Sequence, residues 1–139
     1  MMQEFDYDLQ SIQAARDLAR KGQVAANQIA NYSVEQIGRI LRAMVEVAEK
    51  NAEQLAKMAV EETTFGNVHD KIYKNHMASG LLYEQIKDKK TIGVIDVDEK
   101  SQVITIAEPV GLVMGIVPST NPTSTVLYKS LIALKSRNA

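Results

Sequence analysis

The chain has 139 residues, no cysteine and a formal net charge of −1, with a pI near 6.1. The length is sufficient for one domain with a hydrophobic core. A net charge near zero provides no basic surface for binding a nucleic acid. Because the chain has no cysteine, it contains no disulfide, no zinc–thiolate site and no thiol nucleophile. No apolar run is long enough for a membrane span and the N-terminus lacks a secretory signal pattern, so we expect a soluble cytoplasmic protein.

Residues 1–90 carry four stretches with the apolar periodicity of helices. They run from Asp8 to Ala30, from Ser33 onward, from Asn51 to about Phe65, and from about Val68 to Lys87. The first is predicted to bend or break near Gly22. Ser33 and Gln36 have the spacing of a capping box. Asn51 is expected to cap the third helix, and Gly66 to mark its end. The pattern predicts an antiparallel helical layer.

Two β-prone segments follow the helical part. Residues 91–97 and 102–107 are rich in valine and isoleucine, and Asp98-Glu99-Lys100-Ser101 between them has the length of a hairpin connection. The apolar residues of Ile92–Val97 partly alternate, which predicts a strand with one solvated face. We therefore predict a β-hairpin for residues 91–107.

The stretch after the hairpin has the order strand, loop, helix. Val110–Val117 is a short run of glycine and apolar residues, typical of a strand buried on both faces in a parallel sheet. Pro118–Pro122 is a polar, proline-flanked loop, and Thr123–Leu134 has helical spacing. Ligands gather at this carboxyl end of a strand in open α/β sheets. The same pattern also fits an ordinary turn, in which Pro122 starts the helix and Ser119, Thr120 or Asn121 caps it.

Other chemistry-bearing residues form no recognisable site. His69 and His76 lie about two helical turns apart, but no third ligand accompanies them, so we assign no metal site. The glycines at 111 and 115 do not have the spacing of a phosphate-binding turn. Lys129 is expected to be a surface residue of the last helix.

The segment EPVGLVMGIVPSTNPTSTVLYKSLIALKSRN resembles the aldehyde dehydrogenase superfamily. It is most similar to the acylating, coenzyme-A-dependent branch, which includes the N-terminal half of bifunctional aldehyde–alcohol dehydrogenases. In that branch the loop reads PSTNP or PTTNP, whereas the hydrolytic branch has a Trp-Asn-Phe core. Residues 62–75 resemble the family's Glu-Thr-Gly-x-Gly…Asp-Lys…Lys-Asn segment, with Thr64 in place of a glycine, and we assign no role to them.

The resemblance implies an α/β fold that is incomplete in this chain. Residues 1–90 would be the helical part of a cofactor-binding domain and residues 91–107 a hairpin that pairs with a neighbouring subunit of a homo-oligomer. Residues 108–139 would be the first βα unit of a Rossmann sheet. Because a second buried strand is expected just after residue 139, the chain is expected to be an N-terminal fragment.

The resemblance also implies a reaction. A small aldehyde, acetaldehyde by expectation, would react with coenzyme A and NAD to give acyl-CoA and NADH. Asn121 would be the oxyanion donor, with Thr120 as its rival, because a gapless alignment of the two prolines places Thr120 on the asparagine of the hydrolytic pattern. Val117, Pro118, Ser119 and Thr120 would line the nicotinamide channel. The nucleophilic cysteine would lie outside this chain, which alone would be inactive.

Two other hypotheses are also compatible with the sequence. The helical layer and hairpin could form a stand-alone oligomerisation or interaction module without catalysis. The parent could also be a hydrolytic aldehyde dehydrogenase, which would release free acid without requiring coenzyme A.

Overall fold

The computed structural model describes residues 6–139, which form six α-helices and one β-hairpin. The helices are α1 (Tyr7–Ile29), α2 (Val34–Lys50), α3 (Ala52–Thr63), α4 (Val68–His76), α5 (Leu82–Ile86) and α6 (Pro122–Lys135), and the strands are β1 (Gly93–Asp98) and β2 (Val103–Ala107). A π-helical turn, Met77–Leu81, joins α4 to α5. No helix among residues 6–139 is long and apolar enough to span a membrane.

Helix α1 is continuous from Tyr7 to Ile29, so the predicted break near Gly22 is wrong. The glycine instead faces the side chain of Leu112, and a Cβ added to it would lie 2.5 Å from Leu112 Cδ1. A single glycine costs a helix only about 1 kcal/mol, and here its missing side chain admits a neighbouring segment. Most of α1 is exposed, and only Ala26 and Ile29 near its end are buried.

The start of α2 has the predicted capping box. The Ser33 hydroxyl accepts from the Gln36 backbone N–H at 3.2 Å, and the Gln36 side-chain oxygen accepts from the Ser33 N–H at 2.7 Å. Asn51 precedes α3 as expected but does not cap it with its side chain. Its amide instead donates to the carbonyl of Val47 at 2.8 Å and so closes the end of α2.

Helix α3 ends earlier than predicted, because Thr64 rather than Gly66 is the first residue to leave the helical conformation. Thr64 has a left-handed φ of 59°, and its N–H donates to the carbonyl of Val60 at 2.9 Å. Gly66 also has a positive φ, of 73°, but it lies in the connection to α4.

Helix α6 lies at the centre of the helical layer and contacts α2, α3, α4, α5 and the π-helical turn. The larger buried apolar side chains, Ile29, Ile37, Leu41 and Leu131, form one cluster, and the other buried apolar residues are alanines: Ala26, Ala48, Ala52, Ala56, Ala59 and Ala78. Half-buried apolar side chains surround these four: Tyr32, Met44, Val45, Leu82, Tyr83, Leu134 and Ala139. Helix α6 also contacts α4, and a hydrogen bond from Thr123 to Asn75 places its first turn beside that helix.

The predicted hairpin is confirmed, with antiparallel pairing from Gly93 opposite Ala107 to Asp98 opposite Val103 and a bulge between Val94 and Asp96. The expectation of one buried face is wrong for the described residues. Both faces are largely exposed, and the two strands pack on each other but on no described helix.

Val110–Val117 differs from the predicted strand that is buried on both faces. Val110 and Met114 are 82% and 85% exposed. Its pairing is limited to one place: Ala139 donates to the Gly111 carbonyl at 3.0 Å and accepts from the Val113 N–H at 2.7 Å, as in a parallel ladder. A central strand is buried only when neighbours flank it along its length, and the described residues supply one residue of such a neighbour.

The predicted fold class is nevertheless confirmed as a whole. A helical layer is followed by a hairpin, and then by an extended segment, a polar loop and a helix.

Candidate functional site

The loop Pro118–Pro122 lies between the extended segment and α6. Ser119 and Thr120 form a turn, Asn121 occupies the N-cap position and Pro122 begins the helix. The fixed φ of proline and its missing N–H suit that first position. The side chain of Asn121 makes no capping hydrogen bond, so its amide group is available for other contacts.

Two neighbours hold the Asn121 amide. Its Oδ1 accepts from Lys74 Nζ at 3.0 Å, and its Nδ2 lies 3.4 Å from Thr120 Oγ1. An ammonium group can only donate hydrogen bonds, so the oxygen end of the amide must face Lys74. The NH₂ end therefore points away from Lys74 and retains an N–H for another acceptor.

Lys71 contacts the backbone of the same loop. The residue is only 5% exposed, and its Nζ donates to the carbonyl oxygen of Thr120 at 2.7 Å. A buried ammonium is tolerated only when it is paired, and charge-assisted hydrogen bonds of this length are among the stronger ones. Lys71 thus fixes the direction of the Thr120 carbonyl.

Asn75 joins the first turn of α6 to α3. It is fully buried, its Nδ2 donates to the Ala52 carbonyl at 3.0 Å, and its Oδ1 accepts from Thr123 Oγ1 at 2.8 Å. Both polar ends of the amide are satisfied, as a buried amide requires. The helix that carries Lys71 and the helix that follows the loop are thereby held together.

Glu49 of α2 accepts hydrogen bonds from two residues of the π-helical turn. One carboxylate oxygen lies 2.6 Å from His76 Nδ1, and the other accepts from the Ser79 hydroxyl and, at 2.9 Å, from the Gly80 N–H. Burial raises the pKa of Glu49, but the hydrogen bonds from Ser79, His76 and Gly80 outweigh it, so the pKa lies below the ordinary value. A Cβ on Gly80 would lie 2.8 Å from Glu49 Oε1, which explains the glycine.

An open groove runs between the π-helical turn and α6. Asn121 and Lys74 are polar groups on its wall, and its remaining lining is largely apolar: Met77, Ala78, Leu81, Leu82 and Tyr128, with Gln85, Ser124 and Thr125. The groove offers a largely apolar surface that borders the Asn121 side chain.

The remaining sequence-predicted site residues lie next to Asn121. Val117, Pro118, Ser119 and Thr120 are all exposed. The N–H groups of Ser119 and Thr120 donate to no other residue in the described part of the chain. Two exposed apolar side chains are thus followed along the chain by two backbone N–H groups that have no partner among the described residues.

His69 and His76 have different surroundings and form no common site. His69 has a 94% exposed side chain, whereas His76 contacts Glu49. Lys129 is exposed, as predicted.

The residues that hold the loop were missed by the sequence reasoning. The spacing of Lys71, Lys74 and Asn75 places all three on one face of α4. That spacing was the one local signal that these residues act together. Their partners lie 47–49 residues along the chain, so no local pattern could identify the contact.

Comparisons with known proteins agree with this description. Residues 5–139 match the sequence model of the aldehyde dehydrogenase family. The chain is 48% identical over 122 residues to the bifunctional aldehyde-alcohol dehydrogenase AdhE of Escherichia coli K12. It is 39% identical over 123 residues to the acetylating succinate-semialdehyde dehydrogenase of Clostridium kluyveri. The crystal structure of an acetylating aldehyde dehydrogenase from Geobacillus thermoglucosidasius matches 98% of the chain with a TM-score of 0.91 and 49% identity.

The chain corresponds to only a part of each of these proteins. The alignments cover 88% of the chain in both sequence relatives, but 14% of the Escherichia coli protein and 27% of the Clostridium protein. The matching region is 30% of the Geobacillus chain.

Proposed function

Because the chain belongs to the aldehyde dehydrogenase family, we propose that it forms the N-terminal part of an NAD-dependent, coenzyme-A-acylating aldehyde dehydrogenase. The observation that carries this proposal is the similarity, at 39–49% identity, to proteins described as acetylating or as aldehyde-alcohol dehydrogenases. The loop that distinguishes the acylating branch is present as PSTNP, and the structure presents it at the surface beside an apolar groove.

The proposed reaction converts an aldehyde, coenzyme A and NAD to an acyl-CoA, NADH and a proton. Acetaldehyde is the expected substrate by the resemblance to acetylating aldehyde dehydrogenases, and the groove beside Asn121 has a largely apolar lining. The chemistry requires a thiolate that attacks the carbonyl carbon. With no cysteine in the chain, that group must come from outside these residues. The 139-residue chain alone is therefore expected to be inactive.

Asn121 is proposed to donate to the oxygen of the substrate carbonyl as negative charge develops on it. An amide N–H can donate without losing a proton, and the N–H of this amide that is not directed at Thr120 Oγ1 meets that requirement. Asn121 also stands at the N-terminus of the 14-residue helix α6, whose dipole favours negative charge there. Thr120 is the rival donor through its hydroxyl.

Val117, Pro118, Ser119 and Thr120 are proposed to lie along the nicotinamide of NAD. The cofactor, when bound, supplies the acceptor for the substrate's hydride. The fit rests on the exposed apolar side chains of Val117 and Pro118, which suit the flat ring, and on the free N–H groups of Ser119 and Thr120, which suit its carboxamide. These residues would bind and orient the ring.

The hairpin of residues 91–107 is proposed to join neighbouring subunits of a homo-oligomer. Its support is the exposure of apolar side chains on both strands, among them Val97, Ile104 and Ile106, in a pair of strands that contacts no described helix. We also propose a cytoplasmic location, where NAD and coenzyme A are both available.

The test is an assay of NADH formation by the complete protein that carries this chain. We expect NADH from acetaldehyde only when coenzyme A is present, and a fall in kcat of about 100- to 1,000-fold for Asn121→Ala. The matched variant Thr120→Val removes the rival hydroxyl and should retain most activity. Acid release without coenzyme A would indicate the hydrolytic reaction instead, and absence of NADH with short aldehydes would contradict the proposal.

A further inference from the structure

We propose that Lys74 and Lys71 are positioning residues that orient the donor groups of Asn121, and this inference rests on the proposed role of Asn121. Neither lysine needs to touch the substrate. Lys74 acts on the side chain of Asn121, and Lys71 acts on the peptide bond that precedes it.

Lys74 selects one of the two orientations of the Asn121 amide. Turning the amide by about 180° would point its NH₂ group at the Lys74 ammonium, so that donor would face donor. The observed orientation places Oδ1 at 3.0 Å from Nζ. An unrestrained amide would sample both orientations, because its terminal torsion is broad and roughly two-fold. Lys74 therefore keeps the N–H donors on the side away from α4.

Lys71 sets the plane of the peptide that links Thr120 to Asn121. In a trans peptide the carbonyl and the following N–H point in opposite directions. Since the Lys71 ammonium binds the Thr120 carbonyl at 2.7 Å, the N–H of Asn121 is directed away from α4. The backbone of the loop and the side chain of Asn121 thus receive their orientation from the same helix.

The helix that carries both lysines is itself braced. Asn75, one residue after Lys74, bonds to the carbonyl of Ala52 and to the hydroxyl of Thr123. The following π-helical turn is held by Glu49. A donor must lie within about 0.5 Å of its productive position to be effective, and these contacts supply the rigid support that such placement needs.

The same geometry favours Asn121 over Thr120 as the donor. The side-chain hydroxyl of Thr120 has one polar neighbour in the described part of the chain, Asn121 Nδ2 at 3.4 Å. No residue of α4 orients it. The positioning contacts converge on the amide of Asn121 and on the backbone next to it.

The experiment measures steady-state kinetics of the complete protein carrying Lys74→Met. Methionine keeps much of the aliphatic stem and removes the donor. We expect kcat to fall about tenfold or more because Asn121 loses its orientation, while the KM for NAD stays unchanged. Lys74→Arg retains a donor and should restore most of kcat. Lys57→Met, which removes an exposed lysine paired with Glu53 on α3, is the matched control and should leave kcat unchanged.

A double-mutant cycle with Asn121→Ala separates positioning from general destabilisation. If Lys74 acts through Asn121, adding Lys74→Met to Asn121→Ala should cause little further loss of kcat. Multiplicative losses would overturn the inference, and so would an unchanged kcat in Lys74→Met when Asn121→Ala is impaired. If Asn121→Ala is itself fully active, the oxyanion assignment fails instead.

Neutron crystal structures, which locate the amide hydrogens, of the complete protein and its Lys74→Met variant provide a readout independent of activity. We expect the wild-type amide to keep Oδ1 toward Lys74 and the variant amide to turn or to occupy two orientations. A variant amide that keeps its position, with Nδ2 still directed at Thr120 Oγ1, would overturn the inference even if the protein showed no aldehyde dehydrogenase activity.

Discussion

Thr64 adopts a left-handed backbone conformation that is unfavourable for threonine. Its φ of 59° lies in the left-handed region, where a residue with a Cβ is less stable by roughly 1–2 kcal/mol. The related segment of the family has glycine there, which adopts this conformation without the steric cost. Thr64 occupies the C-cap position, where the left-handed conformation ends α3. The N–H of Thr64 still bonds to the Val60 carbonyl, which helps to offset the steric cost.

Thr64→Gly is therefore expected to stabilise the chain. Relief of the left-handed strain should exceed the greater entropy of glycine in the unfolded state, with a net gain of about 0.5–1 kcal/mol in the free energy of unfolding. Urea denaturation measures this difference. Glu62→Gly, in the exposed last turn of α3, is the control and should destabilise by up to about 1 kcal/mol. Equal losses in both variants would contradict the argument.

The rod formed by α4, the π-helical turn and α5 connects the core to the candidate site. Sequence periodicity predicted one helix here, and the structure inserts a turn with wider hydrogen bonding at Met77–Leu81. Such turns widen a helix locally and often occur at functional sites. In this rod, the turn coincides with the place where Glu49 binds Ser79 and Gly80 and where the groove begins.

Glu49→Gln is expected to change how stability depends on pH. The pKa of Glu49 is lowered in the folded state, so its stabilising effect is complete above the ordinary glutamate pKa of about 4.3 and is lost as pH falls through the lower folded-state pKa. At neutral pH we expect the variant to lose about 1 kcal/mol, given the partial exposure of the group. The difference from the wild type should close in acid.

Urea denaturation at a series of pH values checks this expectation. Glu46→Gln, an exposed glutamate on the same helix, serves as the matched control. A difference in unfolding free energy between Glu49→Gln and the wild type that stays constant from neutral pH to acid would show that the Glu49 carboxylate does not contribute in this way.

At the scale of the whole molecule, the hairpin and residues 110–117 share one property, which is that their apolar side chains are exposed. Val110–Val117 and both hairpin strands present isoleucine, valine and methionine side chains to solvent. Contiguous exposed apolar surface of this kind marks interaction sites. The matching region makes up 30% of the Geobacillus chain, so a full-length protein of this fold has ample sequence to cover such surfaces.

Ile104→Glu combined with Ile106→Glu is expected to disrupt the proposed oligomer. Both side chains are more than half exposed, at 59% and 58%, and alternate residues of a strand share one face. Two carboxylates buried at a subunit contact would be strongly unfavourable. Light scattering of the complete protein should show a smaller assembly. Val34→Glu, an exposed apolar residue at the start of α2, is the control. An unchanged mass for the double variant would exclude the hairpin as the subunit contact.

The sequence by itself determined the helices outside the π-helical turn, the hairpin and the family. Apolar periodicity located the helices, the Ser33–Gln36 pair located the start of α2, and two prolines bounded the loop before α6. These signals are local, because capping, proline geometry and helical spacing act between residues close in the chain. The PSTNP loop and its flanks carried the family resemblance for the same reason.

Only the tertiary structure decided what supports the loop and what remains exposed. The contacts of Lys71 and Lys74 with Thr120 and Asn121 span 49 and 47 residues, and they exist because α6 packs beside α4. The strand-like composition of Val110–Val117 could not determine its burial. A strand's composition fixes what it can pair with, but burial depends on whether neighbouring strands and helices are present to exclude water.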